Sequence, residues 1–141
     1  MAVALAAGLL FSACRDRPWH SHVAVHEGRV AVDTAMLAEG TPVFFSTEVE
    51  GRKVDFFLVK TGGEIGSYLD ACKKCYRHGK GYRAGSGYVE CGYCSVKYPV
   101  SELSSGMGSC VPIHLGGRME GGLWVILPED IKTAASVLMP L

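Results

Sequence analysis

Four cysteines in two pairs are the residues whose types and spacing indicate chemistry. Each pair encloses two residues, and fifteen residues separate the pairs, which are formed by Cys72, Cys75, Cys91 and Cys94. Such a pair lets both sulfurs of a tight turn bind one ion, and the insert is long enough for a hairpin that returns the second pair opposite the first. The pattern therefore predicts a metal or cluster site. A pair of disulfides is the alternative that stays open.

A fifth sulfur bears on the kind of site. A tetrahedral zinc ion and an iron–sulfur centre are both held by four thiolates, so the spacing does not distinguish them. Cys110 follows Cys94 after fifteen intervening residues. A purely structural zinc site has no use for this thiol, whereas a redox or metal-transfer site can use a fifth ligand or a resolving thiol. The alternative is a small buried core residue or a disulfide partner.

Histidines supply weaker candidates. Three of the five lie within seven residues, at His20, His22 and His26. Imidazoles at this spacing predict a secondary site for copper, zinc or iron, and a solvated linker is the simpler interpretation. His78 and His114 are candidate hydrogen-bond donors around the metal ligands or alternative ligands, and ordinary partly exposed histidines are the simpler interpretation.

The surroundings of the cysteines are cationic and aromatic. No acidic residue lies between Cys72 and Arg83, and the segment carries the cations Lys73, Lys74, Arg77, Lys80 and Arg83. These charges would stabilise a site of net negative charge and attract an acidic partner, or else form a solvated turn surface. We expect the nearby tyrosines to exclude water from the site. They are Tyr76, Tyr82, Tyr88, Tyr93 and Tyr98.

The composition excludes several function classes. Among 141 residues, fourteen basic and fourteen acidic side chains cancel, which argues against a nucleic-acid binder. There is no nucleophile elbow, phosphate-cradling loop or metalloprotease His-Glu pattern. We therefore expect no general acid–base catalysis, and an electron carrier rather than an enzyme.

The chain start predicts export. Residues Ala2 to Ala13 are apolar or small, and Cys14 follows them. Fourteen helical residues span only about 21 Å, too short for a bilayer core of roughly 30 Å. We interpret residues 1–14 as a signal with lipidation at Cys14 or as the end of a membrane anchor, with a buried helix as the alternative. Residues 15–28 would be a histidine-containing linker, and residues 29–141 the four-cysteine domain.

The remaining pattern predicts a mainly β fold. Branched and aromatic residues fill 41–49 and 54–60, around a turn at 50–53, and a second turn at 61–64 leads through 65–69 to Cys72. Phe44, Phe45, Phe56 and Phe57 are expected in the core. A last strand at 123–127 precedes a helix from Pro128 to about Leu138. The predicted fold class is a small antiparallel sheet with two rubredoxin- or zinc-ribbon-like cysteine knuckles and a short C-terminal helix, α+β if the helix is counted.

Several segments together resemble the FtrD-like membrane iron–sulfur proteins. They are the strand Val54–Lys60, the run Leu69-Asp70-Ala71-Cys72-Lys73-Lys74-Cys75-Tyr76, Gly79–Arg83, Val89–Cys94, Tyr98-Pro99 and Gly108–Leu115. The resemblance covers about Arg29 to Leu127. It implies that Cys72, Cys75, Cys91 and Cys94 bind an iron–sulfur cluster and that Cys110 belongs to the same site. It also implies an extracytoplasmic, membrane-anchored electron carrier on the periplasmic side, with redox partner proteins and an iron permease complex as partners.

The sequence supports three functional hypotheses. The leading hypothesis is an exported iron–sulfur protein that passes single electrons in iron uptake or respiration. The second is a zinc-stapled interaction module without a redox role. The third is a thiol–disulfide or metal-handling protein, which is disfavoured because its cysteine pairs normally lie at a helix N-terminus rather than in glycine-rich turns.

Overall fold

The fold consists of three small sheets and one short helix. The structure, a computed structural model, describes residues 17–138. Over these residues the strands are β1 (Ser21–His22), β2 (Val30–Asp33), β3 (Val43–Val49), β4 (Arg52–Thr61), β5 (Glu64–Leu69), β6 (Tyr82–Ala84), β7 (Tyr88–Cys91), β8 (Lys97–Pro99), β9 (His114–Leu115), β10 (Arg118–Glu120) and β11 (Leu123–Ile126), followed by helix α1 (Pro128–Ser136). Short 3-10 helices lie at Thr34–Met36, Tyr76–His78 and Val100–Ser105. The predicted mainly β class with a C-terminal helix is confirmed.

The central sheet has five strands in the order β1-β3-β4-β5-β9. Two-residue turns connect its middle strands, and all four turn residues have positive φ: Glu50, Gly51, Gly62 and Gly63. Such turns match the twist of the flanking strands, so the chain can fold back within two residues. The pairs β3–β4, β4–β5 and β5–β9 are antiparallel, whereas β1 pairs with β3 in parallel. The sequence predicts one antiparallel sheet, whereas the structure has three sheets. The short strands β1, β8, β9 and β10 are not predicted from the sequence.

Both faces of the central sheet are buried. Successive side chains along a strand point to opposite faces, so adjacent phenylalanines pack into different cores. Phe45 and Phe56 lie in the first core with their ring centroids 5.6 Å apart, and Phe44 and Phe57 lie in the second at 5.3 Å. The four phenylalanines predicted as core are therefore confirmed, and their doublets reflect a sheet covered on both sides.

Different elements cover the two faces. The first core is closed by the sheet β10-β11-β2 and by α1, which contributes Ile131 and Ala134. The second core is closed by the sheet β6-β7-β8 and the 3-10 helix that carries Val100 and Leu103. Four cysteines belong to this second core, so the candidate site is part of the hydrophobic interior: Cys72, Cys75, Cys91 and Cys110. We call residues 70–111 the cysteine lobe.

Candidate metal centre

The first cysteine turn follows the end of β5 directly. The backbone N–H of Cys75 donates a hydrogen bond to Cys72 Sγ at 3.2 Å, and the N–H of Tyr76 donates to the carbonyl of Cys72 at 3.0 Å. The 3-10 helix at Tyr76–His78 then ends at Gly79, whose φ of 61° lets the chain reverse. Backbone donors aimed at sulfur stabilise its thiolate form. The Cys72–Cys75 turn is thus preformed to hold an anionic sulfur.

The second cysteine turn leaves β7 and lies against the loop after the first. The N–H of Gly92 donates to the carbonyl of Gly81 at 2.7 Å. A Cβ at position 92 would lie 2.7 Å from the carbonyl oxygen of Lys80, closer than real Cβ contacts allow. Ser95 has a φ of 61°, and its N–H donates to the carbonyl of Cys91 at 2.9 Å. Glycine at position 92 therefore allows the two turns to approach each other.

Cys110 lies among the other four sulfurs. Its Sγ is 2.9 Å from Cys72 Sγ, 3.3 Å from Cys75 Sγ, 3.1 Å from Cys94 Sγ and 3.7 Å from Cys91 Sγ. All five cysteines among residues 17–138 are free thiols. The sequence-predicted set is brought together in one site.

Two tyrosines fix the backbone of Cys110. The hydroxyl of Tyr82 donates a hydrogen bond to the carbonyl of Cys110 at 2.5 Å. The N–H of Cys110 donates to the hydroxyl of Tyr98 at 3.0 Å. Tyr82 is fully buried, and its ring packs edge-on against Phe57 with centroids 6.0 Å apart. Because both polar groups of the Cys110 backbone are bonded to side chains, its sulfur is held in place without regular secondary structure.

Burial distinguishes Cys94 from the other sulfurs. Cys72, Cys75, Cys91 and Cys110 are buried, and their sulfurs lie within 4.8 Å of one another. Cys94 is half-buried. Burial raises the pKa of the Cys94 thiol, but the backbone N–H of Val96 and the neighbouring thiols outweigh it and lower the pKa to about 7. Cys94 is thus the least buried of the five sulfurs, and its lowered pKa lets it ionise near neutral pH.

The pKa values of Cys72, Cys75 and Cys110 are shifted in different directions. Burial raises the pKa of Cys75 to about 11, and burial together with hydrogen bonding to Cys72 raises the pKa of Cys110 well above its usual range. Burial also raises the pKa of Cys72, but the Cys110 thiol and the N–H groups of Cys75 and Lys74 lower it below its ordinary value. Close thiolates repel one another unless a cation compensates them. A soft-ligand set of this kind fits a thiophilic metal or an iron–sulfur cluster.

The cations near the site divide into two groups. Arg83 pairs with Glu90 at 2.6 Å, and Lys97 approaches the same carboxylate at 3.9 Å, so these charges stabilise the β6–β7–β8 sheet. The other four are exposed on the first turn and the loop after it, at Lys73, Lys74, Arg77 and Lys80. Their charge faces solvent beside the sulfurs.

The five predicted tyrosines have different positions. Tyr82 is buried, whereas Tyr93 is 53% exposed and stacks on His78 with the ring centroids 3.5 Å apart. Tyr76, Tyr88 and Tyr98 are half-buried. His114 contacts Tyr68 edge-on at 5.8 Å, on the exposed side of β9. Tyr82 and Tyr98 thus pack in the second core, whereas Tyr76 and Tyr93 line the crevice beside Cys72, Cys75 and Cys91.

The N-terminal histidines do not converge. His22 and His26 are exposed, whereas His20 Nε2 lies 2.9 Å from Asp70 Oδ2. The segment predicted as a linker packs on the domain, because Ser21–His22 pairs with Phe45–Ser46. The secondary metal site at His20, His22 and His26 stays a prediction without a shared ligand geometry. Cys14, the predicted lipidation site, lies outside the described residues.

Asp70 is a positioning residue that the sequence did not identify. Its carboxylate is fully buried, accepts from the N–H of Tyr82 at 2.6 Å, and pairs with Arg17 at 2.7 Å. His20 and Asp55 complete a group whose ligand atoms lie within 4.8 Å of one another, and Arg17 already compensates its charge. A clue was present, since an acid within an apolar run two residues before Cys72 is expected to have a buried partner. Asp70 thus ties the N-terminal segment to the cysteine lobe.

Comparison of the sequence with known protein families identifies the family of this chain. Residues 37–138 match the model of a family described as membrane iron–sulfur-containing protein, FtrD-like. No curated protein matches the chain. Within residues 17–138 we find no helix that combines the length and the apolar character of a transmembrane span. The match covers most of the chain and all five clustered cysteines, and the predicted resemblance is confirmed: the chain belongs to the FtrD-like family of membrane iron–sulfur-containing proteins.

Proposed function

We propose that the chain is an extracytoplasmic, membrane-anchored one-electron carrier that serves iron uptake or respiration. In this proposal Cys72, Cys75, Cys91 and Cys94 bind an iron–sulfur centre, and Cys110 contacts or ligates it. The observation that carries the proposal is the convergence of five free thiols in one interior site of an iron–sulfur family member. When bound, the centre supplies one-electron oxidation and reduction.

The protein residues would set the conditions of that chemistry. Backbone N–H groups directed at Cys72 and Cys94 stabilise thiolates, and the aromatic residues behind the site exclude water. Lys73, Lys74 and Lys80 place positive charge beside the centre, which favours its reduced form. Cys94 and Tyr93 border solvent, so an electron can leave the site by outer-sphere transfer.

Structural zinc is the second candidate, because the sulfurs are close together. With metal–sulfur bonds of about 2.3 Å, the ligands of one tetrahedral ion lie about 3.8 Å apart. The 4.8 Å limit on the four buried sulfurs is compatible with a single ion. Cys110 favours the redox proposal, because a closed four-thiolate zinc site leaves no place for a fifth sulfur in contact with all the others.

Metal and sulfide analysis separates the two candidates. The full chain is purified without oxygen, and iron, zinc and acid-labile sulfide are measured together with the visible and electron paramagnetic resonance spectra. Stoichiometric iron with a reducible chromophore is expected. Stoichiometric zinc, with no visible absorbance after anaerobic reconstitution, would refute the electron-carrier proposal.

A serine series assigns the ligands. Cys72→Ser and Cys91→Ser should abolish loading, and Cys110→Ser should change the resonance spectrum if its sulfur contacts the centre. Cys14→Ser is the matched control, because it removes the sixth cysteine of the sequence and is predicted to act only on anchoring. An unchanged spectrum in Cys110→Ser would remove Cys110 from the site.

A further inference from the structure

One exposed segment of the cysteine lobe carries only positively charged side chains. Its cations are exposed on the first cysteine turn and the following loop, at Lys73, Lys74, Arg77 and Lys80. Residues 71–89 contain no Asp or Glu. The acids that flank this segment, Asp70 and Glu90, are both buried and pair with Arg17 and Arg83. We call these four side chains the basic face.

The basic face adjoins the sulfurs. Lys80 and Tyr93 line one crevice with Cys72, Cys75 and Cys91, and the crevice has a volume of about 10 Å³, room for roughly one water. No further layer of protein therefore separates these two side chains from the sulfur site.

An exposed aromatic pair lies beside the cations. Tyr93 on the second turn stacks on His78 of the first loop with a ring-plane angle of 2°, and Tyr93 is 53% exposed. This pair joins the two halves of the site at the surface. An apolar centre with a charged rim is the usual composition of a protein interface, and those of redox complexes are small.

We propose that the basic face docks an acidic surface of a redox protein, with the Tyr93–His78 pair at the centre of the contact. The inference rests on the proposed electron-carrier function. Charge complementarity raises the association rate and orients the partner so that its cofactor approaches the sulfur site. One electron then passes between the centre and the partner's cofactor. The cofactor that gives the electron is oxidised, the cofactor that accepts it is reduced, and no bond forms or breaks.

Charge reversal tests this contact. The reconstituted full chain is mixed in a stopped-flow instrument with two probes: reduced flavodoxin, an acidic protein that donates one electron to the oxidised centre, and oxidised cytochrome c, a basic protein that accepts one electron from the reduced centre. Lys73→Glu with Lys74→Glu should slow transfer from flavodoxin at least about tenfold at low salt and speed transfer to cytochrome c. Salt should diminish both effects, because it screens exposed charges.

A matched control changes the same charge elsewhere. Arg29, directly before β2, and Arg118 on β10 have side chains that are 43% and 55% exposed, and both belong to the sheet that covers the opposite face of the central sheet. Arg29→Glu with Arg118→Glu alters the net charge equally and should leave the flavodoxin rate within about twofold of wild type, because distant exposed charges are largely screened. If Lys73→Glu with Lys74→Glu fails to load the centre, Arg77→Glu with Lys80→Glu is the second variant.

The outcomes separate the two proposals. Iron content and resonance spectrum are measured first, so every rate refers to a loaded centre. If the basic-face variant and the control exchange electrons with flavodoxin at the same rate, the docking proposal is wrong and the carrier function stands. If the loaded wild type exchanges electrons with neither probe, both proposals fail.

Discussion

Asp70 offers the sharpest test of how the cysteine lobe is held. Its side chain is fully buried, and its carboxylate accepts from the N–H of Tyr82 at 2.6 Å, from Arg17 at 2.7 Å and pairs with His20 at 2.9 Å. Position 81 must be glycine here, since a Cβ would lie 2.5 Å from Asp70 Oδ2 at a φ of +56°. Asp70→Asn keeps the shape and one oxygen but removes the charge.

The cost follows from the bonds that are lost. An amide oxygen can still accept from Tyr82, whereas the amide nitrogen would face the Arg17 guanidinium. Each charge-assisted hydrogen bond contributes about 1.5–3 kcal/mol, and Arg17, at 39% side-chain exposure, can recover part of this by turning to water. We expect Asp70→Asn to lower the free energy of unfolding by about 2–3 kcal/mol. Asp70→Ala also leaves the Tyr82 N–H unpaired and should cost about 3–5 kcal/mol, as for other broken buried pairs.

Urea unfolding of the metal-free and metal-loaded protein measures this cost. A double-mutant cycle with Arg17→Ala should give a coupling energy of about 1–2 kcal/mol. Asp33→Asn is the control, because Asp33 is exposed, caps a 3-10 helix through the N–H of Ala35, and asparagine caps equally well. The reasoning is refuted if Asp70→Asn costs no more than Asp33→Asn, or if the Arg17→Ala cost is independent of Asp70.

Three further predictions concern the sulfur site. Gly92→Ala should weaken metal binding by about tenfold or more in a chelator competition, because its Cβ would meet the Lys80 carbonyl at 2.7 Å; unchanged affinity would show that the turns need not approach. Tyr82→Phe should cost about 1–3 kcal/mol in urea unfolding by leaving the Cys110 carbonyl unpaired, and a cost near zero would contradict that bond. In the metal-free protein iodoacetamide should label Cys94 first, and its rate should fall as the pH drops through about 7, since only the thiolate reacts. Mass spectrometry of the labelled peptides checks this; a midpoint near the ordinary value of 9.0, or equal labelling of Cys110, would refute it.

The parts of the structure that the sequence predicted are those set by local chemistry. Cysteine pairs with two intervening residues form turns wherever they bind metal, and Gly62-Gly63 between branched residues specifies a two-residue hairpin loop. The helix after Pro128 follows from proline and acids in its first turn. In each case the residues that determine the element are neighbours in the chain.

The parts that the sequence did not predict depend on long-range contacts. Sequence proximity groups His20 with His22 and His26, yet the hydrogen-bond partner of His20, Asp70, is fifty residues away. The positions of Tyr82 and Tyr98 around the Cys110 backbone likewise depend on residues separated by 28 and 12 positions. Spacing identifies ligands that share a turn, but it carries no information on which distant backbone will be brought to them.

The central sheet explains why a five-sulfur site can be built on so small a fold. Because both faces are covered, the first core, with Phe45, Phe56 and Ile131, buries apolar side chains without using any cysteine. The second core is different, since four of its buried members are thiols. A thiol there contributes less apolar burial than a branched side chain and adds charge when it ionises. We infer that stability is divided between the faces. Hydrophobic burial stabilises the central sheet and α1, whereas the cysteine lobe depends on the hydrogen bonds of Asp70 and Tyr82 and would gain further stability from a metal or cluster held by its thiols.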